Sequence, residues 1–125
     1  MQQRDARLLK PVCCTIAQIG GQDFLALAGI DLPNPGHIEG VYPDMTHAED
    51  WDLAVEAADR YVTDDMAARF ARTFCLYGKP DDIVAGIEAA VQAGATSFYL
   101  RHVGNYSLPS ELMEGFARDV LPRVR

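Results

Sequence analysis

The sequence predicts an α/β fold in which two parallel strands alternate with helices. Two short apolar segments, TFCLY at 73–77 and SFYLRHV at 97–103, have the length and composition of strands that are covered on both faces. Each is followed by a segment with apolar residues at helical spacing, over 80–94 and over 108–120. The order strand, helix, strand, helix with short connections is typical of right-handed βαβ units on a parallel sheet.

The connection after the first predicted strand carries the signals of a helix start. Pro80 stands near the first helical position, and Asp81 and Asp82 place negative charge in the first turn. Gly78 precedes them in the turn, and Gly94 is a suitable residue to end the helix. The sequence therefore predicts both ends of this helix.

Residues 46–125 are predicted to contain a helical pair followed by the two β/α units. THAE at 46–49 has the pattern of a capping box, in which Thr46 and Glu49 each accept a backbone hydrogen bond from the other residue. The first helix of the pair then runs to about residue 61, and the second covers 64–72.

Residues 1–45 are predicted to be an irregular segment with a short helix and a loop rich in proline and glycine. The short helix covers 22–28, and the loop covers 30–44. The apolar run at 12–19 is too short for its periodicity to separate strand from helix, so both remain open.

Composition restricts the class of protein. The chain has 125 residues, 49% of them hydrophobic, with a net charge of −7 and no basic patch, so we expect no nucleic-acid partner. No apolar stretch is long enough to span a bilayer, and no convincing secretory signal is visible, so we expect no membrane partner and a cytoplasmic protein. Three cysteines, two of them adjacent, suggest reduced thiols that pack as small apolar groups; a redox or metal role is the alternative.

The number of predicted strands is too small for a complete fold. Two parallel strands cannot form a sheet that is buried on both faces, and their open edges would favour aggregation. Either the N-terminal region adds strands, another chain adds them, or the chain is part of a larger protein. The third interpretation fits best.

Residues 74–123 resemble the last two β/α units of luciferase-like oxidoreductases, a superfamily of (β/α)8 barrels. The resemblance is carried by FCLYGKPDDIV, by AGATSFYLRHVGNYSLP and by LPR near the C-terminus. Upstream, LALAGIDLP at 25–33 and VYPDMTHAEDW at 41–51 look like a subgroup that uses the deazaflavin coenzyme F-420. One departure is Lys79, where the family pattern has a threonine that caps the helix; lysine cannot accept that bond, at a cost of about 1 kcal/mol.

This resemblance implies the C-terminal portion of a (β/α)8 TIM-type barrel, truncated because a complete barrel needs about 250 residues. It also implies a flavin- or deazaflavin-dependent oxidoreductase, a reductase or a monooxygenase, acting on a small organic substrate. The cofactor would be FMN or coenzyme F-420, held largely by the missing N-terminal part. The resemblance leaves open whether this chain is active by itself, and we expect a homo-oligomer.

In barrels of this kind the active site lies at the C-terminal ends of the strands. That rule points to cofactor- or substrate-binding residues after each predicted strand: Gly78, Arg101, His102, Gly104, Asn105 and Tyr106. Strand alternation allows only one of Arg101 and His102 to face the barrel interior. An arginine could hold a phosphate or an acidic group, and a histidine could donate to a ring carbonyl or carry a proton. The alternative is a surface ion pair for Arg101 and a hydrogen-bonded strand end for His102.

Tyr42 and His47 are candidate lid residues over the substrate, in or beside the long loop. His47 and Asp50 lie three residues apart, but nothing nearby completes a metal site, so we predict no bound metal. No catalytic side chain is indicated. The alternative function is a non-catalytic partial barrel that persists as a dimer or as a partner-binding α/β module.

Overall fold

A computed structural model describes residues 6–103 and 108–124, and in that part of the chain all regular structure is helical. The bounds of the six α-helices are α1 Lys10–Gln18, α2 Gln22–Ala26, α3 Trp51–Ala58, α4 Asp64–Phe74, α5 Pro80–Gln92 and α6 Ser110–Asp119. Short 3-10 helices cover Arg7–Leu9 and Leu121–Arg123. The chain divides into two compact units, residues 1–75 (unit 1) and 76–125 (unit 2).

The predicted α/β fold and TIM-type barrel are therefore wrong for the described residues. Thr73 and Phe74 form the last turn of α4, and residues 75–77 have no strand structure. The second predicted strand, 97–103, has no regular structure. A strand exists only when another strand completes its backbone hydrogen bonds, and no described segment does so. The apolar composition of the two segments was therefore not sufficient to predict strands.

Unit 1 contains a core built from small side chains. Helix α1 contacts α2, α3 and α4, and it resolves the open assignment of 12–19 in favour of a helix. The fully buried residues include many alanines and both adjacent cysteines: Ala17, Ala54, Ala58, Ala67, Ala68, Ala71, Cys13 and Cys14. Short side chains let helices approach closely, and the buried Leu25, Ile30 and Val62 supply larger apolar surfaces.

The start of α3 differs from the predicted capping box. Asp50, rather than Thr46, caps the helix, and its carboxylate accepts from the backbone N–H of Leu53 at 3.0 Å. The Thr46 hydroxyl bonds to Asp44, and the Glu49 N–H donates to the Tyr42 carbonyl at 3.0 Å. Residues 42–49 therefore form a closed loop instead of the first turn of a helix.

Unit 2 has a small core between α5, the C-terminal 3-10 helix and the end of α6. Val84, Ile87 and Val120 are buried and are packed against partly buried Leu76, Ile83, Phe116 and Val124. The Arg123 guanidinium lies 2.8 Å from the Asp81 carboxylate, which joins the C-terminus of the unit to the first turn of α5. Helix α6 itself contains no buried residue.

Both predicted ends of α5 are confirmed. Pro80 is its first residue, and Gly94 follows its C-cap with a φ of +109°. The Gly94 N–H donates to Val91 and the Ala95 N–H donates to Ala90, the paired bonds of a Schellman motif. The positive φ is the reason why glycine suits this position.

Candidate functional site

Arg101 and His102 lie in unit 2 on the irregular segment 97–103, and the two side chains have different environments. Arg101 is exposed and has no ion-pair partner in the described structure. His102 is half-buried, and its Nε2 atom is fully buried without a hydrogen-bond partner among the described residues. Among the described residues, therefore, Arg101 forms no surface ion pair and His102 Nε2 forms no hydrogen bond, in contrast to the alternative expected for non-functional residues.

The buried Nε2 of His102 is the atom in this region that most needs a partner. A buried polar group without a hydrogen bond costs about 1–3 kcal/mol, and native proteins contain few of them. A neutral imidazole offers one donor and one acceptor, so a bound carbonyl or hydroxyl would satisfy this nitrogen. The unsatisfied nitrogen makes His102 a candidate contact for a polar group, and the exposed Arg101 is its neighbour in sequence.

Gly78 forms part of the helix start rather than an open ligand-binding turn. Its φ is +124°, and a Cβ added there would lie 2.4 Å from Asp82 Oδ2 and 2.8 Å from Asp82 Cβ. That carboxylate accepts the backbone N–H of Lys79 at 2.9 Å. Lys79 provides no side-chain cap in return, since an ammonium group cannot accept, so only one half of a capping box is formed.

The two candidate lid residues lie on the same closed loop of unit 1. Tyr42 is exposed, and the Asp44 carboxylate accepts from the backbone N–H groups of Thr46 and His47, both at 2.9 Å. The His47 Nδ1 atom also lies 2.9 Å from Asp44. These bonds, above all the one with the His47 ring, lower the pKa of Asp44 to about 2. The loop is thus held by its own polar contacts.

The other predicted binding residues, Gly104, Asn105 and Tyr106, lie outside the described residues. Residues 42–47 belong to unit 1. All six predicted binding residues therefore stay predictions, and His102 is the one among the described residues with an unsatisfied buried nitrogen.

The sequence analysis missed an ionic cluster in unit 1 in which a buried lysine is paired with two exposed aspartates. The Lys10 side chain is only 1% exposed, and its ammonium contacts Asp59 and lies 2.5 Å from Asp64. Arg7 lies 3.6 Å from Asp59 and 3.4 Å from Asp64. The bond from Lys10, and to a lesser degree the charge of Arg7, lower the pKa of Asp59. Lysine is almost never buried unless paired, and neither aspartate lies near it in sequence, so this cluster depends on the tertiary fold.

The three cysteines are free thiols, with Cys13 and Cys14 buried and Cys75 half-buried. Burial raises the pKa of Cys13 to about 12 and that of Cys14 to about 11, and it also raises the pKa of Cys75. The thiolate is the reactive form, so burial suppresses nucleophilic and metal-binding chemistry at these positions. They pack as the apolar groups that the sequence predicted.

Comparisons with known proteins do not assign the chain to a family. Searches against protein-family models, curated proteins and solved structures find no match to the chain. The described residues contain no group of three or more histidine, cysteine or acidic side chains placed to hold a metal ion. No helix among them is long and apolar enough to cross a membrane.

Proposed function

We propose that this chain contributes to the activity of a flavin- or deazaflavin-dependent oxidoreductase related to the luciferase-like superfamily. In this proposal Arg101 and His102 bind the cofactor or a small organic substrate. The cofactor class comes from the resemblance of residues 74–123. The observation that supports a binding role is the buried Nε2 of His102, which has no hydrogen-bond partner in the described structure.

The two side chains suit such a ligand. FMN and the deazaflavin coenzyme carry ring carbonyls and phosphate groups, and the cofactor itself supplies the hydride or oxygen chemistry when bound. His102 would donate its ring N–H to a carbonyl, which removes the desolvation cost of the buried nitrogen. Arg101 would bind a phosphate or an acidic substrate group through two parallel hydrogen bonds.

We place this activity in the cytoplasm. Three free cysteines support a reducing compartment, because disulfides form and persist mainly in oxidising ones. The net charge of −7 gives no support to a polyanionic partner, which leaves a small molecule as the expected ligand.

Titration of the full chain with FMN and with coenzyme F-420, followed by cofactor fluorescence, tests the proposal. His102→Phe removes the polar atom and should weaken binding at least tenfold, whereas His102→Gln keeps an amide donor at the end of the side chain and should weaken it less. Arg101→Ala should also weaken binding. Arg60→Ala is the matched control, because Arg60 is an exposed arginine of unit 1. Absence of saturable binding by either cofactor, or equal affinity of His102→Phe and the unmodified chain, would refute the proposal.

A further inference from the structure

Residues 97–101 are exposed although the segment 97–103 is largely apolar, and His102 and Val103 are half-buried. Tyr99 is 91% exposed, Phe98 43% and Leu100 40%, so most of this surface is not packed on the core of unit 2. No backbone hydrogen bond of the described structure involves residues 96–103. The seven residues 97–103 thus have no backbone hydrogen-bond partner among the described residues, and they carry the large apolar side chains of Phe98, Tyr99 and Leu100.

These features define the chemistry of a partner. The sequence SFYLRHV has aromatic and β-branched residues, contains neither proline nor glycine, and carries a single formal charge at Arg101. Segments of this composition pair readily with another extended chain, whose backbone satisfies their hydrogen bonds. Addition of a strand is a common way for an exposed backbone edge to bind a partner.

We propose that segment 97–103 pairs in antiparallel orientation with the same segment of a second copy of this chain, centred on Leu100. In this register Leu100 lies opposite Leu100 of the second copy. Tyr99 lies opposite Arg101, and Phe98 lies opposite His102, each pair occurring twice by symmetry. The inference goes beyond the proposed redox function and does not depend on it.

The side chains of the segment are complementary to themselves in this register. A guanidinium opposite a tyrosine ring forms a cation–π pair, and the Phe98–His102 and Leu100–Leu100 pairs are aromatic or apolar. Parallel pairing in register would instead place Arg101 beside Arg101, which destabilises a sheet. The only formal charge of the segment therefore favours the antiparallel arrangement and a two-fold symmetric, closed dimer.

The pairing uses the backbone edge of the segment, so the face that carries Tyr99 and Arg101 stays exposed, and His102 on the other face stays half-buried. Arg101 and His102 alternate between the faces, so pairing does not remove them from a ligand. Each copy carries a net charge of −7, so long-range repulsion opposes association, and added salt should screen it. The dimer is therefore expected to strengthen between low and physiological ionic strength.

Sedimentation velocity of the full chain over a wide concentration range tests the proposal. We expect a concentration-dependent dimer. Leu100→Glu places two like charges opposite each other on the symmetry axis and should raise the dissociation constant at least tenfold. Tyr99→Glu places a carboxylate opposite Arg101 and should leave the dimer intact or tighten it. Leu108→Glu is the matched control, because Leu108 is 84% exposed and lies outside the segment.

The contrast between the glutamate variants identifies the register as well as the surface. Unchanged far-ultraviolet circular dichroism establishes that each variant is folded. The inference would be overturned if the unmodified chain is monomeric at all concentrations or if the dimer survives Leu100→Glu. It would also be overturned if Tyr99→Glu and Leu100→Glu weaken the dimer equally. Cofactor titration is a separate readout, so a monomer that binds FMN refutes self-pairing alone, and a dimer without cofactor affinity refutes the redox proposal alone.

Discussion

Replacement of Gly78 by alanine should destabilise unit 2 by about 2–4 kcal/mol. The φ of +124° lies in a region that side chains rarely adopt, and forcing alanine there costs about 1–3 kcal/mol. The new Cβ would also lie 2.4 Å from Asp82 Oδ2, so the carboxylate must move away. Its hydrogen bond to the Lys79 N–H would then be lost, at a further cost of about 1 kcal/mol.

Gly115→Ala provides the matched control. Gly115 lies within α6, and a Cβ added there meets no atom within 4 Å. Alanine has a higher helix propensity than glycine, so this change should stabilise the unit by up to about 1 kcal/mol. Replacement of glycine by alanine should therefore lower the free energy of unfolding at position 78 and raise it at position 115.

Urea unfolding followed by circular dichroism measures both changes in the free energy of unfolding. Trp51, the single tryptophan, lies in unit 1, whereas α5 belongs to unit 2. Hydrogen exchange of peptides covering residues 80–92 supplies the local readout, and Gly78→Ala should accelerate it. If Gly78→Ala is as stable as the unmodified chain, or if Gly115→Ala is equally destabilised, the reasoning from backbone conformation and the Asp82 contact is refuted.

Three further predictions follow from the described contacts. Lys79→Thr should stabilise unit 2 by about 1 kcal/mol in urea unfolding, because the hydroxyl can accept the third backbone N–H of α5; no gain would contradict the missing-cap argument. In the folded chain at pH 8, Cys75 should react with a thiol reagent before Cys13, because Cys13 is fully buried with a pKa raised to about 12. Equal labelling of the two cysteines, measured by mass spectrometry, would contradict the burial of Cys13 in the core of unit 1. The pKa of Asp44 is lowered to about 2, so its contribution to stability is present above the ordinary aspartate pKa and is lost as pH falls from about 4 to about 2. His47→Ala should raise the pKa of Asp44 in a carboxyl NMR titration. An unchanged pKa would exclude the His47 contact as the cause of the shift.

The site could be predicted from the sequence only in part. Arg101 and His102 were predicted because the active-site residues of barrels follow the strands, and the described residues contain no strand, so that rule no longer supports them. The different exposure of these neighbouring side chains, and the missing partner of His102 Nε2, depend on packing that no local pattern specifies. Gly78 was selected on the same rule, yet its close approach to Asp82 gives it a structural role.

Features that arise from interactions between near neighbours in the chain were predictable from the sequence. Pro80 at the start of α5 and Gly94 at its end were predictable because helix ends depend on φ angles and hydrogen bonds within five residues. Burial of the adjacent cysteines was also predictable from their apolar character. Local chemistry is sufficient for such features.

Features that need a partner far along the chain depend on the tertiary fold and could not be predicted from local sequence. The apolar run at 12–19 became a helix because it packs against α3 and α4, and Lys10 is buried because Asp59 and Asp64 reach it from far along the chain. The run at 97–103 has strand composition but no described strand beside it, so it forms no sheet. A helix completes its hydrogen bonds within one segment, whereas a strand requires a second one, and for this reason the helices were predictable and the predicted fold class was wrong.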